Sequence, residues 1–194
     1  NWVKENSLKP KDHDLTSDQV KAKKLFDIWL KRGNKLEPFI LQGYAGTGKT
    51  FLSTKLLREV DLQELCWTVV APTHKAVGVL RKALDEEGLT PTWYPSTIHR
   101  LLRLKIKRKG SYEVCEETSQ TSRALEQLGL VLVDEASMVD SSLLAIAIKC
   151  AHESNTRLVF VGDPAQLPPV GEDTSPVFLI NGASKSILKK VVRH

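Results

Sequence analysis

Residues Gly43-Tyr44-Ala45-Gly46-Thr47-Gly48-Lys49-Thr50 match the spacing G-x-x-x-x-G-K-(S/T), and no other stretch limits the fold of this chain so tightly. Glycines at these positions let the backbone turn sharply, so that successive N–H groups converge on one anion. A lysine and a hydroxyl residue then open a helix, whose positive end faces the same point. The flanks agree. Pro38-Phe39-Ile40-Leu41-Gln42 is a short apolar run suited to a buried strand, and Phe51 to Val60 carries apolar residues at 52, 56, 57 and 60, a helical spacing. Strand, glycine loop and helix in that order demand an α/β sheet with the loop at a strand end. An ordinary glycine-rich turn is the alternative, and it does not account for both the motif and its setting. The implied ligand is a nucleoside triphosphate, with Gly43 to Thr50 as its cradle.

The remaining strands follow the same pattern. Cys66 to Ala71, Leu130 to Val133 and Arg157 to Val161 are apolar runs, as expected of parallel strands covered on both faces. Helices are predicted over about Lys75–Glu87, stopped by Gly88, and over about Ser141–Glu153. A helix carrying Val20, Leu25, Ile28 and Trp29 opens at Thr16-Ser17-Asp18-Gln19, where Thr16 and Gln19 have capping-box spacing, and Gly33-Asn34 closes it. Residues 1–14 are polar and are read as a flexible N-terminal arm. Alternating strands and helices give an α/β, doubly wound, mostly parallel sheet. The exception is 100–122. Arg100, Arg103, Lys105, Lys107, Arg108 and Lys109 crowd together, Leu102 to Lys107 alternates like a strand, Lys109-Gly110-Ser111 turns, and Tyr112 to Cys115 returns. This predicts a small basic β-hairpin inserted in the core.

Bulk properties narrow the class. A length of 194 residues suits one α/β domain with an insertion, and 41% hydrophobic residues supply a core. No run approaches the ~18 apolar residues of a membrane span, so no membrane partner is expected. The start, Asn1-Trp2-Val3-Lys4-Glu5, is polar and lacks an initiator Met, which points to a fragment or processed chain without a secretory signal. Lysine and arginine number 28 against 23 acidic residues, a net charge of +5; that balance permits a polyanionic partner without requiring one. Cys66, Cys115 and Cys150 form no C-x-x-C pair, so reduced thiols and a cytoplasmic location are expected, and a zinc site is not.

Two strand ends carry chemistry. The run 130–133 ends in Asp134-Glu135-Ala136-Ser137. In a parallel sheet that point lies beside the phosphate loop. Asp134 would help Thr50 hold Mg²⁺, and Glu135 would polarise the attacking water; the bland alternative is an acidic helix cap. The run 157–161 ends in Gly162-Asp163-Pro164-Ala165-Gln166-Leu167-Pro168-Pro169. Gln166 has an amide that both donates and accepts and could touch the terminal phosphate or its water. Alone, this stretch would be a proline-rich turn.

In this order, Gly43 to Thr50, Asp134-Glu135-Ala136-Ser137-Met138-Val139-Asp140 and Gly162 to Val170 closely resemble the superfamily 1B helicases, the RecD-like, Dda-like and Pif-like DNA motors. The resemblance spans about residues 15–193 and matches the first of two RecA-like motor domains. It implies a P-loop NTPase fold, a RecA-like three-layer sandwich, over 15–194, with ATP and Mg²⁺ as cofactors. It further implies that Gln19 reads the adenine edge, with its capping role as a rival. Pro72, Thr73, His74 and Lys75 resemble motif Ia, and Thr97, His99 and Arg100 lie in a stretch resembling motif Ib; both motifs meet single-stranded DNA. Helix capping by Thr73 and a purely structural His99 remain the alternatives. Arg193 matches the arginine that faces the γ-phosphate, although His194 follows it where the family commonly has Gln. The hairpin lies where the family carries a strand-separating pin, yet no aromatic marks its tip. Movement would run 5′ to 3′. No motif of a second motor domain follows, so a second RecA-like domain is expected elsewhere in the full-length protein, alongside recombination or repair partners. Two other readings stay open: a P-loop ATPase not coupled to DNA, and a motor subunit of a recombination nuclease. A non-catalytic nucleotide module is argued against by Glu135.

Overall fold

A computed structural model describes residues 15–32 and 37–192. The arm at 1–14, the helix stop at Gly33-Asn34, and Arg193 lie outside the described residues. Helix α1 (Ser17–Lys31) leads into β1 (Phe39–Gly43), α2 (Lys49–Leu62), β2 (Trp67–Ala71) and α3 (His74–Glu86). Then come β3 (Ser96–Thr97), the one-turn α4 (Ile98–Leu101), and the strands β4 (Lys105–Lys109) and β5 (Tyr112–Glu116). The chain continues through β6 (Leu130–Val133), α5 (Ser141–Ser154), β7 (Arg157–Gly162) and β8 (Ser184–Leu188). The main sheet has six strands in the order β3-β2-β6-β7-β1-β8, and every pairing is parallel.

The apolar runs become strands because both faces of the sheet are covered. Phe39, Leu41, Val69, Leu130, Leu132, Val159 and Val161 point into one core with Phe26 and Trp29 of α1, Leu52 and Leu56 of α2, and Leu80 of α3. Their neighbours Ile40, Val70, Val131, Val133, Leu158 and Phe160 point into a second core with Leu144, Ala147 and Cys150 of α5 and with Phe178. Side chains alternate across a strand, so only an uninterrupted apolar run fills both cores. The result is the expected three-layer α/β sandwich. Helix α1 opens with the anticipated capping box: Thr16 and Gln19 each accept from the other's backbone N–H. At its far end the Arg157 guanidinium donates to the carbonyls of Trp29 and Leu30, a cation placed at the negative end of a helix.

The sheet has two strands beyond the four read from the sequence. Strand β3 is two residues long, too short to leave a pattern. Strand β8 sits at an edge as Ser-Lys-Ser-Ile-Leu, with only Ser186 and Leu188 buried, so it has no apolar run. The strand predicted from Leu102 is corrected as well. Thr97 caps α4, Leu102 is buried at the helix end, and Arg103 takes a left-handed φ of 57°. Arg100 therefore belongs to a helix, and the hairpin strand begins only at Lys105. The hairpin itself is as expected: Lys109 pairs with Tyr112 across Gly110-Ser111. It forms a separate two-stranded sheet, with β4 exposed along its length. Lys107 pairs with Glu116 at 2.8 Å, and Arg108 with Glu113 at 3.9 Å, so its basic face is partly neutralised by its own partner strand.

Candidate functional site

Because the main sheet is parallel, the carboxyl ends of β1, β2, β3, β6 and β7 share one edge, and the candidate residues gather there. The glycine loop follows β1. Gly48 has a φ of 79° and caps α2, and a Cβ there would overlap the Gln19 amide nitrogen. Only glycine fits. Thr47 is buried and donates its hydroxyl to the Tyr44 carbonyl at 2.8 Å, which fastens the loop on itself, while Tyr44, Ala45 and Gly46 stay exposed. Lys49 folds back across the loop, and its Nζ donates to the carbonyls of Gly43 at 2.6 Å and Tyr44 at 3.0 Å. Burial pushes its pKa down, while Asp163, Asp134 and Glu135 oppose that shift. The ammonium is thus held at the loop mouth by weak neutral acceptors, which an anion would outcompete. Thr50 is half-buried in the first turn of α2.

Gln19 is both cap and brace. Its Oε1 accepts from Thr16 N at 3.0 Å, and its Nε2 donates to the Thr47 carbonyl at 3.1 Å. The side chain is only 2% exposed. One amide hydrogen remains beyond these bonds, and it is what a base contact would use.

Asp134 follows β6. Its N–H donates to Val70 O at 2.9 Å, and its Oδ1 accepts from Glu135 N at 2.8 Å. Burial raises its pKa to about 6, an effect that the Glu135 N–H and Lys49 partly counter. Glu135 is exposed, with a left-handed φ of 55°, which swings it out of the strand line. The next turn packs tightly: a Cβ on Gly162 would come within 3.1 Å of both Ala136 N and Phe178 Cζ. That close approach seats the Asp163–Gln166 turn beside the acid pair. Asp163 is buried, its Oδ1 accepting from Ala165 N at 2.8 Å, and Gln166 lies exposed just beyond.

The motif Ia and Ib stretches also meet. Ala71 of β2 pairs with Thr97 of β3, so the two loops leave adjacent strand ends. Both threonines cap helices, Thr73 accepting from Ala76 N at 3.2 Å and Thr97 from Arg100 N at 3.3 Å. The capping alternative is therefore realised, and each hydroxyl still keeps its proton for another acceptor. Pro72 is half-buried; His74, Lys75 and Arg100 are exposed. His99 is half-buried, and burial lowers its pKa against the opposing pull of Asp140 and Glu113, so it is neutral at physiological pH.

Two residues escaped the sequence reading. Asp163 was given only a turn, yet its carboxylate acts on Lys49. Asp18 was read only as part of a helix start. Its Oδ2 accepts from Lys189 N at 3.0 Å and Lys190 N at 3.1 Å, and Val192 N donates to Gly46 O at 2.7 Å. The segment after β8 is thus tied to the glycine loop. A contact spanning 171 positions leaves no local signal, and an acid in a first helical turn is common.

The Asp134 shift has a testable consequence. An unfolded carboxyl near 3.8 that rises to about 6 on folding binds its proton more tightly in the native state. Stability is therefore lost as pH climbs from about 4 to about 6. Without nucleotide or divalent cation, Asp134→Asn is expected to be more stable than the parent at pH 7.5 by about 3 kcal/mol, with the gap closing at pH 4. Urea titrations of both proteins at the two pH values check this, and an equal gap at both sinks it.

Comparisons with known proteins agree with this geometry. A family model described as "AAA domain" matches residues 27–194. The chain is 32% identical over 145 residues to the ATP-dependent DNA helicase Pif1 of Bdellovibrio bacteriovorus, covering 69% of this chain and 30% of that protein. It is 34% identical over 153 residues to the RecBCD enzyme subunit RecD of Haemophilus influenzae, covering 69% of this chain and 22% of that protein. A solved structure of Bacteroides sp Pif1 in complex with ADP-AlF4 shares the fold at a TM-score of 0.64 and 20% identity, over 92% of this chain and 43% of that one. The chain thus spans less than a third of these two curated relatives and under half of the solved structure.

Proposed function

This chain belongs to the AAA-domain family as a superfamily 1B motor domain of the Pif1/RecD type, and from that premise we propose that it couples ATP hydrolysis to 5′-to-3′ movement along single-stranded DNA, and so to duplex unwinding. One observation carries the reading. The phosphate loop, the Asp134-Glu135 pair and the Gln166 turn share a sheet edge with the two capped helix starts at Thr73 and Thr97. A nucleotide's charge state can therefore be sensed through the same strand ends that face a polynucleotide.

The residues suit the cofactors. Loop amides and Lys49 bind phosphate oxygens, and Gln19 offers its remaining amide hydrogen to the base. Among the described residues no cluster of three or more metal-ligating side chains occurs. That fits a magnesium ion bound mainly by phosphates and water, with Thr50 and Asp134 as its protein contacts. Asp134, raised in pKa by burial, is a carboxylate whose charged form a cation would stabilise. The ion would supply neutralisation of phosphate charge. Glu135 takes a proton from the attacking water, Lys49 balances charge growing on the terminal phosphate, and Gln166 contacts the same phosphate or water and relays its loss to the strand end. Thr73, His74, Lys75 and Arg100 hold the DNA backbone, with Thr97 and His99 beside them. By the family resemblance Arg193 would face the γ-phosphate, and a second RecA-like domain of the full-length protein would form the facing wall.

The similarity to RecD supports a second reading in which the intact protein is the motor subunit of a recombination nuclease. The site is the same and only the partners differ, so nuclease activity copurifying with the intact protein separates the two. The primary test is ATP turnover by the full-length protein with and without oligo(dT). Turnover is expected to rise severalfold with DNA, and a rate indifferent to DNA leaves only an uncoupled P-loop ATPase. Residues 1–194 alone are expected to bind ATP but turn it over slowly.

A further inference from the structure

Beside the strand path lies a groove that the motifs do not account for. A cavity of about 560 Å³ begins at His74 and Thr97 and reaches Trp93, Tyr94 and Arg103. Two further cavities continue it, sharing Arg103 with the first and extending to Arg123. Four arginines line this run, at 81, 100, 103 and 123, against one carboxylate, Glu126.

The backbone of its aromatic wall is tied to β2. Trp93 is 43% exposed and Tyr94 75% exposed, although both follow a segment bound to β2. Thr92 N donates to Trp67 O at 2.9 Å, and the Thr68 hydroxyl donates to Trp93 O at 2.8 Å. The Arg81 guanidinium lies 4.1 Å from the Tyr94 ring centroid while donating to Pro95 O at 2.8 Å. One face of Tyr94 is therefore covered and the rest of the ring presented to solvent. Arg103, common to all three cavities, ends α4 with a left-handed φ, its N–H donating to Arg100 O at 3.2 Å and Leu104 N to His99 O at 2.9 Å, an ordinary helix stop, and its carbonyl accepts from the Thr118 hydroxyl at 2.8 Å. Exposed rings interleaved with guanidinium groups are what single-stranded nucleic acid requires: flat faces for bases and cations for the backbone.

Resting on the DNA-motor reading, we propose that the DNA strand passing Thr73 and Thr97 enters this groove, stacking bases on Tyr94 and Trp93 while Arg100, Arg103 and Arg123 take its phosphates. The motif residues then grip backbone, and the groove grips bases.

The test uses the full-length protein and two fluorescent probes of equal length, oligo(dT) and an abasic oligomer, with binding read by anisotropy. Wild type is expected to favour oligo(dT). Trp93→Ala and Tyr94→Ala should each weaken oligo(dT) binding about tenfold and leave abasic binding and DNA-free ATP turnover unchanged. Trp93→Phe and Tyr94→Phe should restore oligo(dT) binding. Variants that bind oligo(dT) like wild type, or that lose both probes equally, overturn the base-stacking groove while leaving the motor reading intact if DNA still stimulates wild-type turnover. A wild-type protein that neither binds oligo(dT) nor responds to it removes both.

Discussion

Replacing Lys49 by alanine is expected to lower ATP turnover about 10²–10³-fold, the cost of losing one preorganised group that stabilises charge in the transition state. Lys49 is suited to the task by its surroundings. Among the described residues its Nζ donates only to the carbonyls of Gly43 and Tyr44, neutral groups that cost little to leave. Burial lowers its pKa, yet Asp163, Asp134 and Glu135 all act to keep it charged. An ammonium that is partly desolvated but still protonated interacts strongly with a phosphate. Stability should change little, because the half-buried side chain sits outside both hydrophobic cores. Steady-state turnover and a thermal melt on the same sample decide the matter. Near-parental turnover in a folded variant would remove Lys49, and with it the phosphate-loop assignment, from the mechanism. Lys49→Arg is expected to fail as well, since a planar guanidinium fork cannot replace a compact ammonium within this loop.

How far this site could be read from residues alone depends on whether the signal was local. The glycine loop, the acid pair and the four apolar strands are each written in a few consecutive positions. In a parallel sheet, strand ends converge without any long-range information. The Thr16–Gln19 cap was equally local. What stayed hidden depends on tertiary placement. Strand β8 is an edge strand whose Ser184-Lys185-Ser186 has no apolar pattern, and it forms because β1 offers an open side. The Asp18 bonds to the backbone of Lys189 and Lys190 join opposite ends of the chain. The strand predicted from Leu102 failed because Thr97 capped a helix there and Arg103 broke the register with a left-handed φ. Propensity yielded to a cap and to burial of Leu102. The aromatic pair at 93–94 belongs to none of the motifs, and its placement beside Arg81 is set by tertiary packing.

Glu135→Gln separates binding from chemistry. The amide keeps the size and shape of the side chain but cannot take a proton, so turnover is expected to fall about 10²–10⁴-fold while ATP and DNA affinities stay near the parental values. A nucleotide-loaded, DNA-bound state should accumulate, seen as slow release of labelled ATP after dilution. The backbone adds a second arm to the test. Glu135 holds a φ of 55°, a conformation costly for any residue with a Cβ and free for glycine. A Glu→Gly change in ordinary backbone destabilises by about 0.5–1 kcal/mol through lost chain entropy. At 135, relief of strain should cancel that loss, so Glu135→Gly is expected to be at least as stable as the parent and equally inactive. Residual turnover in both variants near the parental rate would show that another group activates the water. Inactive variants of undiminished stability would mean that the strain at 135 is kept for the sake of the reaction, because the fold would be no worse without it.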